Sequence, residues 1–192
     1  TGGDQLRITS LLGGTRLWQE LHRTYSRGAL MVGTSAGASV MSDTMIVEGR
    51  DDGTPVKCTV KMAPGLGLLE EVVIDQHFAQ RGRIGRLLMA VAQNPFVMGL
   101  GLDEDTAVLI DERGIMEVLG SQTAVVIDGR ASTYSNVSEA GADESLVFSG
   151  VVIHVLAGGC EFDLQSGSFL KPPTHQTGAK NRRGGGGGIL EG

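Results

Sequence analysis

Cysteine is scarce in this 192-residue sequence: there are two, Cys58 and Cys160, far apart and without C-x-x-C spacing. Neither a disulfide framework nor a zinc site is thereby indicated, and a reducing compartment fits. Positive charge is also short. Sixteen lysines and arginines face 22 acids, for a net charge of −6, which gives no footing for a nucleic-acid partner. No apolar run approaches bilayer-spanning length, so no membrane association is expected. A signal peptide is absent too, but the chain opens "TGGDQ" without a methionine. The expected location is the cytoplasm, with a secreted form left open. What is present is ordinary for a globular domain, 41% hydrophobic and 20% charged, and long enough to bury a core without crosslinks or metal.

Composition changes near the end. Residues 171–192, "KPPTHQTGAKNRRGGGGGILEG", hold four of the sixteen basic residues and five consecutive glycines. Such a run cannot bury enough surface to offset the entropy of ordering it. The expected organisation is therefore one α/β domain over residues 1–170 and a flexible Gly/basic tail over 171–192. Within the domain, "GGDQLRITSLLGGT" reads as a tight turn entering a short helix ended by glycine. In residues 15–26, Leu17, Trp18, Leu21 and Tyr25 recur at helical spacing. "GALMVGTS" reads as a buried strand, "EVVIDQHF" as a second, and "RIGRLLMAVAQNP" as a helix stopped by Pro95. From residue 97 onward the pattern is short strands and turns. Alternating helix and apolar strand in the first half predicts a mainly parallel sheet flanked by helices, with antiparallel strands added in the second half.

Gly33-Thr34-Ser35-Ala36-Gly37 fits G-x-S-x-G, a sharp turn between a strand and a helix that holds a serine hydroxyl at its tip. The motif alone leaves a nucleophile and an inert small-residue turn both open. A serine nucleophile needs a base, and a histidine base needs an orienting acid. Of four histidines, His22 lies in an amphipathic helix, His154 inside a strand and His175 in the tail. His77 ends a buried strand, where active-site groups of α/β sheets gather. Asp103, Glu104 and Asp105 follow another strand. One of the three can hold the imidazole, and the other two are expected to form a solvated turn. Arg81, Arg83 and Arg86 stand where a helix starts beside His77. They read either as a solvated helix face, Arg86 lying opposite the apolar stripe, or as guanidinium forks for anionic ligands such as carboxylates.

"TGGDQ", "GTSAGA", "DQHFAQRGRIGRL" and "GLDEDTA", in this order and spacing, closely resemble the cyanophycinase family of serine peptidases, which also contains aspartyl dipeptidases. The resemblance implies a sheet related to class I glutamine amidotransferases and a Ser-His-acid triad. In this sequence Ser35 would be the nucleophile, His77 the general base and Glu104 the orienting acid. Backbone N–H groups of Ala36 and of the Gly2-Gly3 turn, Gly3 in particular, would hold the oxyanion. Gln5, Asp75, Gln76, Arg81, Arg83 and Arg86 match the substrate pocket.

By the same resemblance the substrate is cyanophycin, a polyaspartate whose β-carboxyls are amide-linked to arginine, cut by an exopeptidase into β-Asp-Arg dipeptides. No metal and no organic cofactor are implied, and a homodimer is expected. An α-aspartyl dipeptidase of the same family and a non-catalytic binding domain are the alternatives. The family fold places strands and helices ahead of the "GGDQ" turn, so the chain is expected to be part of a longer protein.

Overall fold

The first two helices of the chain begin where a side chain caps them. Asp4 accepts a hydrogen bond from the Arg7 N–H and opens α1 (Gln5–Leu12), which Gly13 ends. Thr15 caps α2 (Arg16–Ser26) in the same way through the Trp18 N–H. Trp18 and His22 turn inward from α2 and both hydrogen-bond the carbonyl of Leu66, whereas Leu17 and Tyr25 of the expected stripe are exposed. The computed structural model describes residues 1–49, 54–57 and 60–173; Cys58, His175 and the polyglycine run lie outside them.

Residues 28–34, expected as a strand, form none. Strand formation needs a neighbour to take up the backbone groups, and among the described residues none pairs with this segment. Leu30 and Val32 are accordingly 73% and 82% exposed. The chain then makes the short α3 (Ala36–Ser39) and an antiparallel pair, β1 (Thr44–Glu48) with β2 (Lys61–Pro64). Next come β3 (Val72–Gln76), α4 (Ile84–Gln93), β4 (Met98–Leu102), β5 (Thr106–Ile110), β6 (Ile115–Gly120) and β7 (Thr123–Asp128). The remaining strands are β8 (Tyr134–Ser135), β9 (Phe148–Ser149), β10 (Val152–Ala157), β11 (Glu161–Asp163) and β12 (Ser168–Lys171).

The architecture is mixed α/β. The central sheet has the order β10-β7-β4-β3, and a second sheet the order β12-β11-β6-β5. Only β3 and β4 pair in parallel among the described strands, so the central sheet is mixed rather than mainly parallel. The reason is connectivity. Parallel neighbours need a crossover, which α4 supplies between β3 and β4, while β4 reaches β7 through the β5–β6 hairpin and β7 reaches β10 through the β8–β9 pair, each returning antiparallel. Lys171, assigned by composition to the tail, ends β12 and pairs with Glu161.

Strand alternation decides which side chain faces which layer. Val72, Ile74, Leu100, Leu102 and Val126 pack against Met116, Val118 and Phe162 of the second sheet. On the opposite face, Val73, Val125 and Ile127 meet Leu87, Met89 and Val91 of α4. Gly99 and Gly101 also face α4, and a Cβ at Gly99 would lie 2.8 Å from Val91 and 2.9 Å from Leu87. Their lack of side chains is what lets α4 and the Phe78 ring lie directly on β4. His154 stacks at 4.8 Å on Phe162, and Cys160 is buried in the same core. No helix among the described residues is long and apolar enough to cross a membrane.

A turn between the layers carries a pH-dependent contribution to stability. Arg130 donates to both oxygens of Asp128 and, at 2.5 Å, to the carbonyl of Gln165 beside the β11–β12 hairpin. The Arg130 side chain, helped by its backbone N–H and charge, holds the Asp128 carboxyl below its ordinary value against the opposing effect of burial. A depressed carboxylate stabilises above its unfolded value of about 4, and the gain is lost as pH falls through the folded value. Arg130→Met should therefore cost roughly 1 kcal/mol at pH 7. In urea titrations the gap between variant and parent should narrow below about pH 4.

Candidate active site

Ser35 occupies a backbone that few residues tolerate, φ 54° and ψ −122°, at the entry to α3. The turn holds because its neighbours have almost no side chains. A Cβ on Gly33 would collide with the Gly37 carbonyl, and one on Gly37 would come within 2.8 Å of the Thr1 carbonyl oxygen. The Gly2–Gly3 turn lies against the same serine, since a Cβ on Gly2 would be 3.4 Å from the Ser35 Cβ. Gly3 has φ 136°, a conformation that favours glycine. Among the described residues the N–H groups of Gly3 and Ala36 have no hydrogen-bond acceptor. Ala38 of α3 packs in the same cluster as Val72 and Ile74, which sets the elbow against β3.

His77 and Glu104 meet because β3 and β4 are parallel neighbours. In their register Gln76 stands opposite Leu102, so both strands deliver their next residues to the same edge of the sheet. The Ser35 Oγ lies 3.4 Å from His77 Nε2, and His77 Nδ1 lies 2.8 Å from Glu104 Oε1. With the Nδ1 proton donated to Glu104, Nε2 is left to accept from the serine hydroxyl. The serine–histidine distance is loose for a hydrogen bond, as is common for catalytic pairs without substrate. The Glu104 side chain is 58% exposed and that of His77 31%. Both are therefore open to solvent. His77 itself sits at φ 50°, another unfavourable conformation for a non-glycine residue.

The residues read as a substrate pocket divide into two groups. Asp75 is 1% exposed and Arg86 7%. Arg86 grips Asp75 through two parallel contacts, Nε to Oδ2 at 2.6 Å and Nη2 to Oδ1, and Arg83 Nη1 approaches Oδ1 at 3.5 Å. Arg83, also buried, donates to the Gln76 carbonyl at 2.5 Å and approaches the Gln76 side-chain oxygen at 3.3 Å. The solvated helix face expected for Arg86 is thus absent. Alternation along β3 aims Asp75, like Val73, at α4, and a carboxylate buried there requires a cationic partner. Arg81, by contrast, is exposed, and its guanidinium has no hydrogen bond or ion pair among the described residues. Gln5 is part-buried and donates to the Ile46 carbonyl at 3.0 Å, beside a cleft of about 320 Å³ bordered by Gly3, Gln5 and Glu48.

The acidic triplet also splits. Asp105 is exposed, at φ 50°, and accepts from the Ser121 hydroxyl. Asp103 departs from the expected solvated turn, being 7% exposed and fully engaged in hydrogen bonds. It faces inward because it extends the alternation of Gly99 and Gly101 by one more step. That periodicity was the available signal. No cluster of histidine, cysteine and acidic side chains suited to a metal ion occurs among the described residues.

Comparison with known proteins agrees with these motifs. The model of peptidase family S51 matches residues 1–118. A cyanophycinase of Trichormus variabilis is 40% identical over 177 residues, covering 92% of this chain and 59% of the relative. A cyanophycinase of Geminocystis herdmanii is 38% identical over 164 residues, covering 85% and 60%. One of Thermosynechococcus vestitus is 36% identical over 167 residues, covering 86% and 52%. The chain thus spans about three fifths of the length of the first two of these relatives. With the family model matching well over half of the sequence, and with the serine elbow, the histidine strand end and the acid within reach of one another, the chain belongs to peptidase family S51.

Proposed function

We propose that the protein carrying this chain is a serine exopeptidase that degrades cyanophycin, with Ser35 as nucleophile, His77 as general base and Glu104 as orienting acid. The observation that carries the reading is the Ser35–His77–Glu104 relay on one sheet edge, in a chain whose relatives are named cyanophycinases. Ser35 Oγ attacks the carbonyl carbon of a polyaspartate amide while His77 Nε2 takes its proton. The oxyanion that forms is held by the N–H groups of Ala36 and Gly3, placed where negative charge develops. Collapse breaks the C–N bond, and His77 passes the proton to the leaving amine. Water, deprotonated in turn by His77, then releases the acyl group from Ser35. No metal or cofactor enters the scheme. The sheet is read as a class I glutamine amidotransferase-like sheet, which the parallel β3–β4 pair and its crossover helix support.

Arg81 is the guanidinium in this reading that is open to substrate. Cyanophycin presents a free carboxylate on each arginine branch, which suits a planar two-pronged donor better than a lysine point charge. Arg81→Lys should lower kcat/KM on cyanophycin by about ten- to a hundredfold. Gln5 and Gln76 complete the side of the pocket that remains accessible, with Asp75, Arg83 and Arg86 backing it. The test is a side-by-side assay of the intact protein on β-Asp-Arg polymer and on α-Asp-Arg dipeptide. Faster turnover of the α-linked dipeptide would make the protein an aspartyl dipeptidase instead.

A further inference from the structure

Two backbone turns carry the base and the acid, and neither is built to hold its shape alone. His77 at φ 50° opens the first, and Asp105 at φ 50° follows Glu104 in the second. Left-handed positions at non-glycine residues persist only when surrounding contacts over-determine them. Asp105 itself is held by Ser121, which donates its N–H to the Asp105 carbonyl and its hydroxyl to the carboxylate, while the contacts that join the two turns converge on Asp103. Its Oδ1 accepts the Ala79 N–H at 2.9 Å, two residues beyond His77. Its Oδ2 accepts both the Thr123 hydroxyl at 2.6 Å and the Thr123 N–H at 3.2 Å. The Asp103 N–H donates to the Thr123 carbonyl at 3.2 Å. One buried carboxylate therefore ties the turn after His77 and the residue before Glu104 to the start of β7. Two lesser stitches run parallel to it, Phe78 N–H to the Leu102 carbonyl at 3.1 Å and Glu104 N–H to the Gln80 side-chain oxygen at 3.2 Å.

We propose that Asp103 is a positioning residue that fixes the His77–Glu104 pair at hydrogen-bond distance by clamping both of its turns to Thr123. This role rests on the triad reading above. The site demands a carboxylate, because the groups facing it are all donors: two backbone N–H groups and a hydroxyl. An amide has one acceptor oxygen, so in either orientation its NH2 group faces the Ala79 N–H or the Thr123 N–H and leaves that N–H unpartnered. The turn loosens, and the imidazole loses its fixed orientation without any contact to substrate being removed.

The experiment measures kcat and KM of the intact protein on cyanophycin for Asp103→Asn, Glu104→Gln and the double variant, with thermal unfolding of each. Asp103→Asn should lower kcat roughly ten- to a hundredfold with KM nearly unchanged. In the Glu104→Gln background the same substitution should cost less than about threefold, because residues acting through one pair are not additive. Should Asp103→Asn fail to fold, Thr123→Val, which removes one hydroxyl, gives the same comparison with a smaller loss. A Glu104→Gln variant with full activity overturns the triad reading itself. With Glu104→Gln impaired, three results overturn the positioning role alone: an unaltered kcat in Asp103→Asn, a change confined to KM, or an equal loss with and without Glu104.

Discussion

Ser35→Ala in the intact protein should lower cyanophycin turnover by about 10⁴-fold or more while leaving the melting temperature within a few degrees of the parent. The structural part of this expectation comes from the elbow. Alanine has the bulk of serine without the oxygen, and the crowded Gly33 and Gly37 contacts around it involve backbone rather than the hydroxyl. His77→Ala should cost a similar factor, and the two substitutions together little more than either, because nucleophile and base act as one unit. Glu104→Gln should be milder, about 10²- to 10⁴-fold, since in the proposed triad the acid orients the ring and stabilises its charged form without itself attacking or protonating the substrate. Asp105→Asn, on an exposed side chain bonded to Ser121, should stay near parental activity. Substantial turnover by the Ser35→Ala protein would remove the nucleophile, and with it the acyl-enzyme route.

Arg86→Ala should destabilise the protein by about 3 kcal/mol, the low end of the cost of breaking a buried ion pair, because Arg83 at 3.5 Å remains as a weaker partner of Asp75. The Arg86 and Asp75 side chains are 8% and 2% exposed, so bulk solvent screens the pair little. The double variant Asp75→Leu with Arg86→Met, which removes both charges and keeps volume, should recover much of that loss. Equilibrium denaturation of the three proteins reads the contrast directly. If Arg86→Ala unfolds at the parental denaturant concentration but loses activity on cyanophycin, the guanidinium serves the substrate, and the internal pair is secondary. The same pair joins β3 to α4 immediately before His77, so its loss is also expected to lower activity through the position of that residue.

Much of the site was readable because it lies in local patterns. G-x-S-x-G around Ser35 specifies a turn that only small neighbours permit, and the collisions a side chain at Gly33 or Gly37 would make are the physical form of that rule. His77 was singled out by its place at the end of an apolar run, and that run is β3. The glycine after α1 and Pro95 after α4 marked the ends of those helices within the sequence itself, and the structure adds Asp4 and Thr15 as the caps that start α1 and α2. Each of these signals involves residues close along the chain, and the conformational preference is local.

What failed to be legible depended on partners far away in the chain. The segment 28–34 has the apolar run of a strand, but a strand is a pairing, and pairing is not a property of seven residues. The arginines after His77 carry the same charge in the sequence. Tertiary structure separates them into an exposed Arg81 and a buried Arg83 and Arg86, because Asp75 sits on the α4 face of β3. Asp103, Glu104 and Asp105 are three acids in a row, yet one is clamped inside on Thr123, one reaches His77 and one faces solvent. Sequence alone determined the serine turn, the helix limits and the residue types available for chemistry. The tertiary structure decided which charge is buried, which is paired and which is open to solvent, since burial and charge pairing are set by layers that only the folded chain brings together.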